Sequence, residues 1–255
     1  MLSVRVMPCL LLRRRGLVKT VKFKDAAYIG DPINTVRIFN EMEVDELVFL
    51  DITASPENKA PQFDLIEEIA NECFMPFGYG GGLRSLDDIH RLFDLGAEKA
   101  VLNTVAIKNP NLVSEAARRF GSQSVIVSID ARRNLWGRYQ VHGNGGRENT
   151  KLDPVEYAVR MANAGAGEIL ITAMDRDGTF SGYDLELTRS VAEAVSVPVI
   201  ACGGAGTLPD FQKAVWDGRA AAVAAGSLFI YQGAHRAVLV NYPKPEQLQS
   251  LFDRP

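Results

Sequence analysis

Little in this chain invites a metal, a membrane or a nucleic acid. Its three histidines, His90, His142 and His235, lack ligand spacing, and Cys9, Cys73 and Cys202 show neither metal-ligand nor disulfide spacing. No metal and no cofactor are therefore expected, and a reducing cytoplasm fits the cysteine usage best. No apolar run approaches the roughly 20 residues that cross a bilayer. The apolar stretch from Val6 to Leu12 is short and is followed, not preceded, by Arg13-Arg14-Arg15. With no small-residue cleavage site, it does not read as an export signal. A formal net charge of −3 argues against a general nucleic-acid binder. No Pro/Ser-rich or charge-block linker interrupts the chain, so 1–255 reads as one domain. The 47% hydrophobic and 23% charged shares are those of a globular protein with a substantial core.

What is present is a repeat. A shift of 122 positions carries Pro76 onto Pro198, Gly81 and Gly82 onto Gly203 and Gly204, Gly96 onto Gly218, and Glu46 onto Glu168. In each copy an apolar strand runs into glycines and then a helix, where bare amides can face an anion. Gly82, Asn103 and Thr104 in one half, and Gly203, Gly204, Gly226 and Ser227 in the other, fit two phosphate cradles. Glycine is also routine in turns, so it is the pairing that points to a phosphorylated small molecule.

Short apolar or β-branched runs recur near 4–12, 46–51, 77–80, 100–102, 125–130, 168–172, 199–201 and 220–224. Helix-start signals fall between them at Asp31-Pro32, Ser85, Asn109-Pro110 and Asp153-Pro154. Eight strand–helix alternations with continuously apolar strands predict a (β/α)8 barrel of the TIM type, with a doubly wound open sheet as the rival. In a barrel, Leu11, Asp51, Gly82, Asn103, Thr104, Asp130, Thr172, Asp175, Asp177, Gly204 and Ser227 share the rim that normally holds chemistry. Arg5, Glu46, Lys99 and Glu168 open strands at the opposite end and point into the lumen. Buried charges must be paired, so these four read either as a polar plug or as a gate. Arg13-Arg14-Arg15 and Arg132-Arg133 add five rim cations, either solvated or attracting an anion or an acidic partner surface. Cys202 reads as a packed thiol, and Trp136, Tyr139 and Trp216 as packing or loop anchors.

From Arg5 to about Phe229 the chain resembles the cyclase subunit of imidazole glycerol phosphate synthase, the HisF family. The strings that carry the likeness are Asp45-Glu46-Leu47-Val48-Phe49-Leu50-Asp51-Ile52-Thr53-Ala54-Ser55, Phe120-Gly121-Ser122-Gln123, Gly165-Ala166-Gly167-Glu168-Ile169-Leu170, Asp175-Arg176-Asp177-Gly178-Thr179 and Gly182-Tyr183-Asp184-Leu185-Glu186. The resemblance implies two half-barrels, a substrate phosphorylated at both ends, and a HisH-like glutaminase at the N-terminal face. It also implies that Arg5, Glu46, Lys99 and Glu168 gate ammonia, and that the Lys19 loop closes over substrate contacted by Asp51, Thr172 and Asp177.

One departure changes the reading. The family's cyclases use a carboxylate after strand 1 and another after strand 5; Asp130 is retained here, but the first position is Leu11. Paired carboxylates suit ring closure because one donates a proton while the other removes one. Asp51 and Asp177 are the rim alternatives, either of which can instead orient a ligand or cap a helix. Gly78-Tyr79-Gly80, Ala173, Cys202 and the stretch 231–243 also differ from the family's usual residues. They resemble a branch found in surface-polysaccharide clusters, the acetamidino modification proteins. That likeness implies ammonia supplied to a separate sugar amidotransferase for O-antigen lipopolysaccharide. The alternatives are a histidine-pathway cyclase with a shifted acid and a non-catalytic phosphosugar-binding scaffold.

Overall fold

The computed structural model describes residues 4–233 and 235–253; the ends of the 1–255 span and Ala234 lie outside the described residues. Eight parallel strands close on themselves: β1 (Arg5–Arg13), β2 (Leu47–Asp51), β3 (Phe77–Gly80), β4 (Lys99–Leu102), β5 (Val125–Arg133), β6 (Glu168–Ala173), β7 (Val199–Cys202) and β8 (Ala222–Ala225). Each pairs with its sequence neighbour, and β8 returns to β1 with Arg5 opposite Ala222. The fold is therefore the (β/α)8 barrel, and the open-sheet rival falls because no strand edge of the ring is free.

The alternation of side chains along each strand sorts the barrel into two cores. Val6, Leu10 and Leu12 of β1 join the core beneath the helices, whereas Met7, Cys9 and Leu11 face the lumen with Val48, Val101, Ile126, Leu170, Ile200, Ala222 and Ala224. The outer ring comprises α1 (Pro32–Glu41), α2 (Phe63–Glu72), α3 (Leu86–Asp94), α4 (Asn111–Phe120), α5 (Pro154–Asn163), α6 (Leu185–Ala194), α7 (Leu208–Trp216) and α8 (Pro245–Phe252). Asp31, Ser85 and Asp153 cap their helices as their positions predict, each accepting from backbone amides of the first turn. The expectation at Asn109 misses by one residue, because Pro110 precedes α4 without a side-chain cap.

The repeat extends to single hydrogen bonds. Leu47 N donates to Pro76 O at 3.0 Å, and Ile169 N donates to Pro198 O at 3.0 Å. Asp88 accepts from the amides of Arg84 and Ser85, and Asp210 from those of Gly206 and Thr207.

Three features depart from a plain barrel. After β1 a hairpin of Gly16–Val21 and Lys24–Gly30 folds over the mouth, pairing Leu11 with Val18. After β5 the strand Tyr139–Gly143 turns back on it and lifts Leu135 and Trp136 to a tip where they are 97% and 81% exposed. Trp136 is thus not a packing residue, because the turn aims it into solvent. Tyr139 does anchor its loop by donating to Asp184, while Trp216 is half-buried at the end of α7. Finally, the chain after β8 runs through a ribbon of Tyr231–Gln232 and Ala237–Val238 before α8 begins late and packs on α7. In that crossing the Tyr242 hydroxyl donates to Val6 O at 2.8 Å and ties the C-terminal segment to the base. Tyr242→Phe should cost about 1 kcal/mol in urea denaturation with an unchanged m-value, the worth of one hydrogen bond.

Candidate functional site

At the C-terminal end of the strands a cavity of about 510 Å³ opens beneath the hairpin. Leu11, Lys19, Asp51, Gly82, Asn103, Thr104, Asp130, Thr172, Asp177 and Gly226 all line it. Gly203, Gly204 and Ser227 do not, so the two cradles are not equally open. Gly81 and Gly82 adopt φ of +120° and +77°, and a Cβ on Gly82 would lie 2.8 Å from Lys59 O. In the second half a Cβ on Gly204 would lie 2.2 Å from Gly182 O, because the loop after β6 packs directly onto this turn. The Lys19 ammonium occupies the space before Gly226, 2.5 Å from where a Cβ would stand. Behind it the Ser227 hydroxyl is buried without a partner.

Lys19 lies on a hairpin strand rather than in a loop, and is only 5% exposed. Its Nζ is 3.5 Å from Asp177, whose other oxygen accepts from Thr20 at 3.3 Å. Burial works against the ammonium, yet Asp177, aided by the Cys9 and Cys202 thiols, holds its pKa above the usual lysine value. Asp51 is fully engaged: Thr53 N, Thr53 Oγ1 and Ala54 N donate to one oxygen and Gln62 Nε2 to the other, all within 3.1 Å. Its carboxylate shapes the turn after β2.

That leaves Asp130. Asn103 Nδ2 donates to it at 3.2 Å and to Ser128 O at 3.0 Å. Burial, then the charge of Asp177, push its pKa up to about 7, against a smaller opposing hydrogen bond from Thr172. Leu11, 8% exposed, points into the same lumen with an alkyl group. One carboxyl is therefore poised to exchange a proton near neutrality, and no second one stands free at the Leu11 position.

At the base the four charged residues converge. Arg5 spans both carboxylates, at 2.5 Å from Glu46 and 2.7 Å from Glu168, and Lys99 Nζ lies 2.8 Å from Glu46 and 3.3 Å from Glu168. Burial opposes the guanidinium charge, but Glu168 and Glu46 outweigh it and raise its pKa. Between this ring and the mouth the lumen is lined by apolar side chains. Outside the ring Lys99 and Glu168 join Phe93, Phe120 and Gln123 in a cleft, and Phe74 stands 86% exposed before β3. Phe74 and the cleft were not legible beforehand, although the Phe120-Gly121-Ser122-Gln123 string touches it.

The rim cations mostly find partners. Arg15 pairs with Glu68, Arg132 with Asp175 and Arg133 with Glu186, while Arg13 and Arg14 have no ion pair among the described residues. No cluster of three or more potential metal ligands occurs among those residues, and no helix there is long and apolar enough to cross a membrane.

Fold and site together define a parallel barrel whose polar groups gather at both ends of an apolar lumen. Residues 5–236 match the family described as histidine biosynthesis protein. The chain is 50% identical over 248 residues to a Pseudomonas aeruginosa protein provisionally named imidazole glycerol phosphate synthase subunit hisF2, covering 97% of this chain and 99% of that one. A provisionally named HisF subunit of Leptospira interrogans is 46% identical, covering 99% and 100%. The imidazole glycerol phosphate synthase subunit HisF of Alkaliphilus metalliredigens is 47% identical over 231 residues, covering 91% and 92%. The chain belongs to the histidine biosynthesis protein family, among its HisF-like imidazole glycerol phosphate synthase subunits.

Two outcomes follow from this electrostatic arrangement. An aspartate whose folded pKa lies above its unfolded value of about 3.9 stabilises the fold below that value, and the contribution is lost as pH rises through about 7. Asp130→Asn should therefore leave stability nearly unchanged at acid pH and raise it by roughly 1–3 kcal/mol above neutrality, measured by denaturant titration across pH. Lys99→Met should destabilise the chain by several kcal/mol, since Arg5 alone must then neutralise two buried carboxylates; calorimetric Tm would report it.

Proposed function

We infer that this chain is the ammonia-accepting subunit of a glutamine amidotransferase pair, and that it passes ammonia onward for acetamidino-sugar formation. The observation that carries the reading is Leu11. It faces the lumen where paired proton transfer needs a carboxylate, while the ring of Arg5, Glu46, Lys99 and Glu168 at the base is complete. A HisH-like glutaminase would dock over the base cleft and the exposed Phe74. Neutral ammonia is the form suited to the lumen, because ammonium would lose its hydration against apolar walls at a cost of several kcal/mol or more. At the mouth, Gly82, Asn103 and Thr104 would hold one phosphate. Lys19 and the orphan Ser227 hydroxyl would hold a second once the hairpin moves, with Gly204 joining them when the loop after β6 also withdraws. A separate sugar amidotransferase would then use the ammonia in surface-polysaccharide synthesis.

A histidine-pathway cyclase is the second reading, favoured by Asp130, which is poised near neutrality and held by Asn103. The two part on one assay. The purified chain with its glutaminase should stimulate glutamine hydrolysis yet close no imidazole ring from the nucleotide precursor, and Leu11→Asp should raise ring closure by about 10²-fold or more. Ring closure at an ordinary enzymatic rate by the unaltered chain would reject the first reading. Phe74→Asp should weaken the glutaminase complex at least about tenfold, the effect of losing one interfacial anchor, as read by titration calorimetry.

A further inference from the structure

The hairpin after β5 carries Leu135 and Trp136 on a tip that is held in place by its own hydrogen bonds. Asn134 N donates to Arg138 O at 2.8 Å, and the Asn134 side-chain oxygen accepts from Trp136 N at 2.9 Å and from Arg138 N at 3.0 Å. The foot of the hairpin is braced on the start of α6: Arg133 stacks on Tyr139 and pairs with Glu186, and Tyr139 donates to Asp184 at 2.9 Å. Asn134 lies about 13 Å beyond Asp130 along the strand, at roughly 3.3 Å per residue, so the tip stands well above the cavity floor. An apolar pair fixed in water in this way gives up little conformational entropy when a partner covers it, and that is what an interface anchor requires.

The rim beside the tip has a sign. Arg132 Nη2 donates to Lys22 O at 3.5 Å, and Phe23 lies 3.0 Å from where a Cβ on Gly146 would stand, so the turn of the first hairpin abuts the loop that follows the second. Arg13, Lys22, Lys24 and Arg147 are thereby gathered around the cavity, with Arg138 at the tip. All are exposed, and none has an ion pair among the described residues. The acids alongside are mostly paired, Glu57 with Lys59, Glu148 with Lys108 and Asp175 with Arg132. The chain as a whole carries −3, so this positive rim runs against the sign of the molecule. A surface that complements it is acidic and offers a slot for an indole.

We propose that the Leu135–Trp136 tip anchors a protein partner over the mouth, an enzyme with an acidic face around an apolar pocket, which takes up the emerging ammonia. The inference rests on the ammonia-passing reading above. An amine loose in water at pH 7 is almost wholly protonated and has no lone pair to give. The receiving enzyme must therefore seal the mouth, and a surface that does so meets the tip. A second copy of this chain, set mouth to mouth, would bring the same cations and be repelled.

In a full-length Trp216→Phe chain Trp136 is the one indole. Its emission should be that of an exposed indole, open to iodide quenching, and the purified sugar amidotransferase of the same cell should shift it to the blue and protect it. Trp136→Ser or Leu135→Ser should weaken that complex at least about tenfold with Tm unchanged, and Trp136→Phe much less. Arg138→Glu should slow association and flatten its salt dependence. With the glutaminase present, Trp136→Ser should lower amidine formation from glutamine, while glutamine hydrolysis and amidine formation from saturating ammonium salt stay as they were. Full amidine formation from glutamine by the Trp136→Ser chain would overturn this inference and leave the functional reading standing. A Trp136-dependent complex that makes no amidine from glutamine would do the reverse. A blue shift with phosphatidylglycerol vesicles but not with the enzyme, or self-association abolished by Trp136→Ser, would also overturn the inference.

Discussion

Closing eight strands into a ring forces every inward side chain into one narrow space, and that space admits only apolar groups or charges that neutralise one another. Most inward positions meet the demand with Met7, Val48, Ile126 or Leu170. The base meets it with two carboxylates, a guanidinium and an ammonium, each cation within 3.3 Å of both carboxylates. The mouth meets it less completely, and its chemistry follows from that shortfall. Asp177 has Lys19 as its counter-ion, whereas Asp130 has only Asn103 and Thr172 and so holds its proton far above the ordinary carboxylate range. At the base the charges balance in pairs; at the mouth they do not, and a proton is available there.

The two halves of the chain share a backbone plan but not a set of open surfaces. Equivalent prolines, capping aspartates and glycine turns repeat down to the hydrogen bond. Yet one glycine turn lines the cavity while the other lies under the loop after β6, with Lys19 parked before Gly226. The hairpin after β1 breaks the symmetry because it leans towards Asp177 in the second half, through Lys22 N to Asp177 O at 2.8 Å.

Much of this was legible beforehand, for physical reasons that also mark the limit. Continuously apolar runs, helix caps and the 122-residue shift are local or periodic signals, so the barrel and the ring at its base could be placed. The closure of the Gly203-Gly204 turn was not legible, since it depends on where Gly182 packs. Asp51 looked available because its four donors become neighbours only when the turn after β2 forms around it. Both mouth hairpins escaped notice because residues 16–30 alternate weakly and the Asn134–Arg138 turn is held by Asn134 accepting from its own loop. Trp136 carried an aromatic's usual expectation of burial, which a hairpin tip cancels.

The two glutamates at the base are copies of each other, but their cations are not. A shift of 122 carries Arg5 onto Val127 and Lys99 onto Ala221, so the duplication left one half with the guanidinium and ammonium that both halves need. The two cations also differ mechanically. Arg5 is a flat fork pinned at both prongs, while Lys99 is a single point at the end of four rotatable bonds, and it is Lys99 that borders the outer cleft. On the reading proposed above, passage of ammonia through this ring would be set by the torsions of Lys99 more than by the doubly held fork of Arg5.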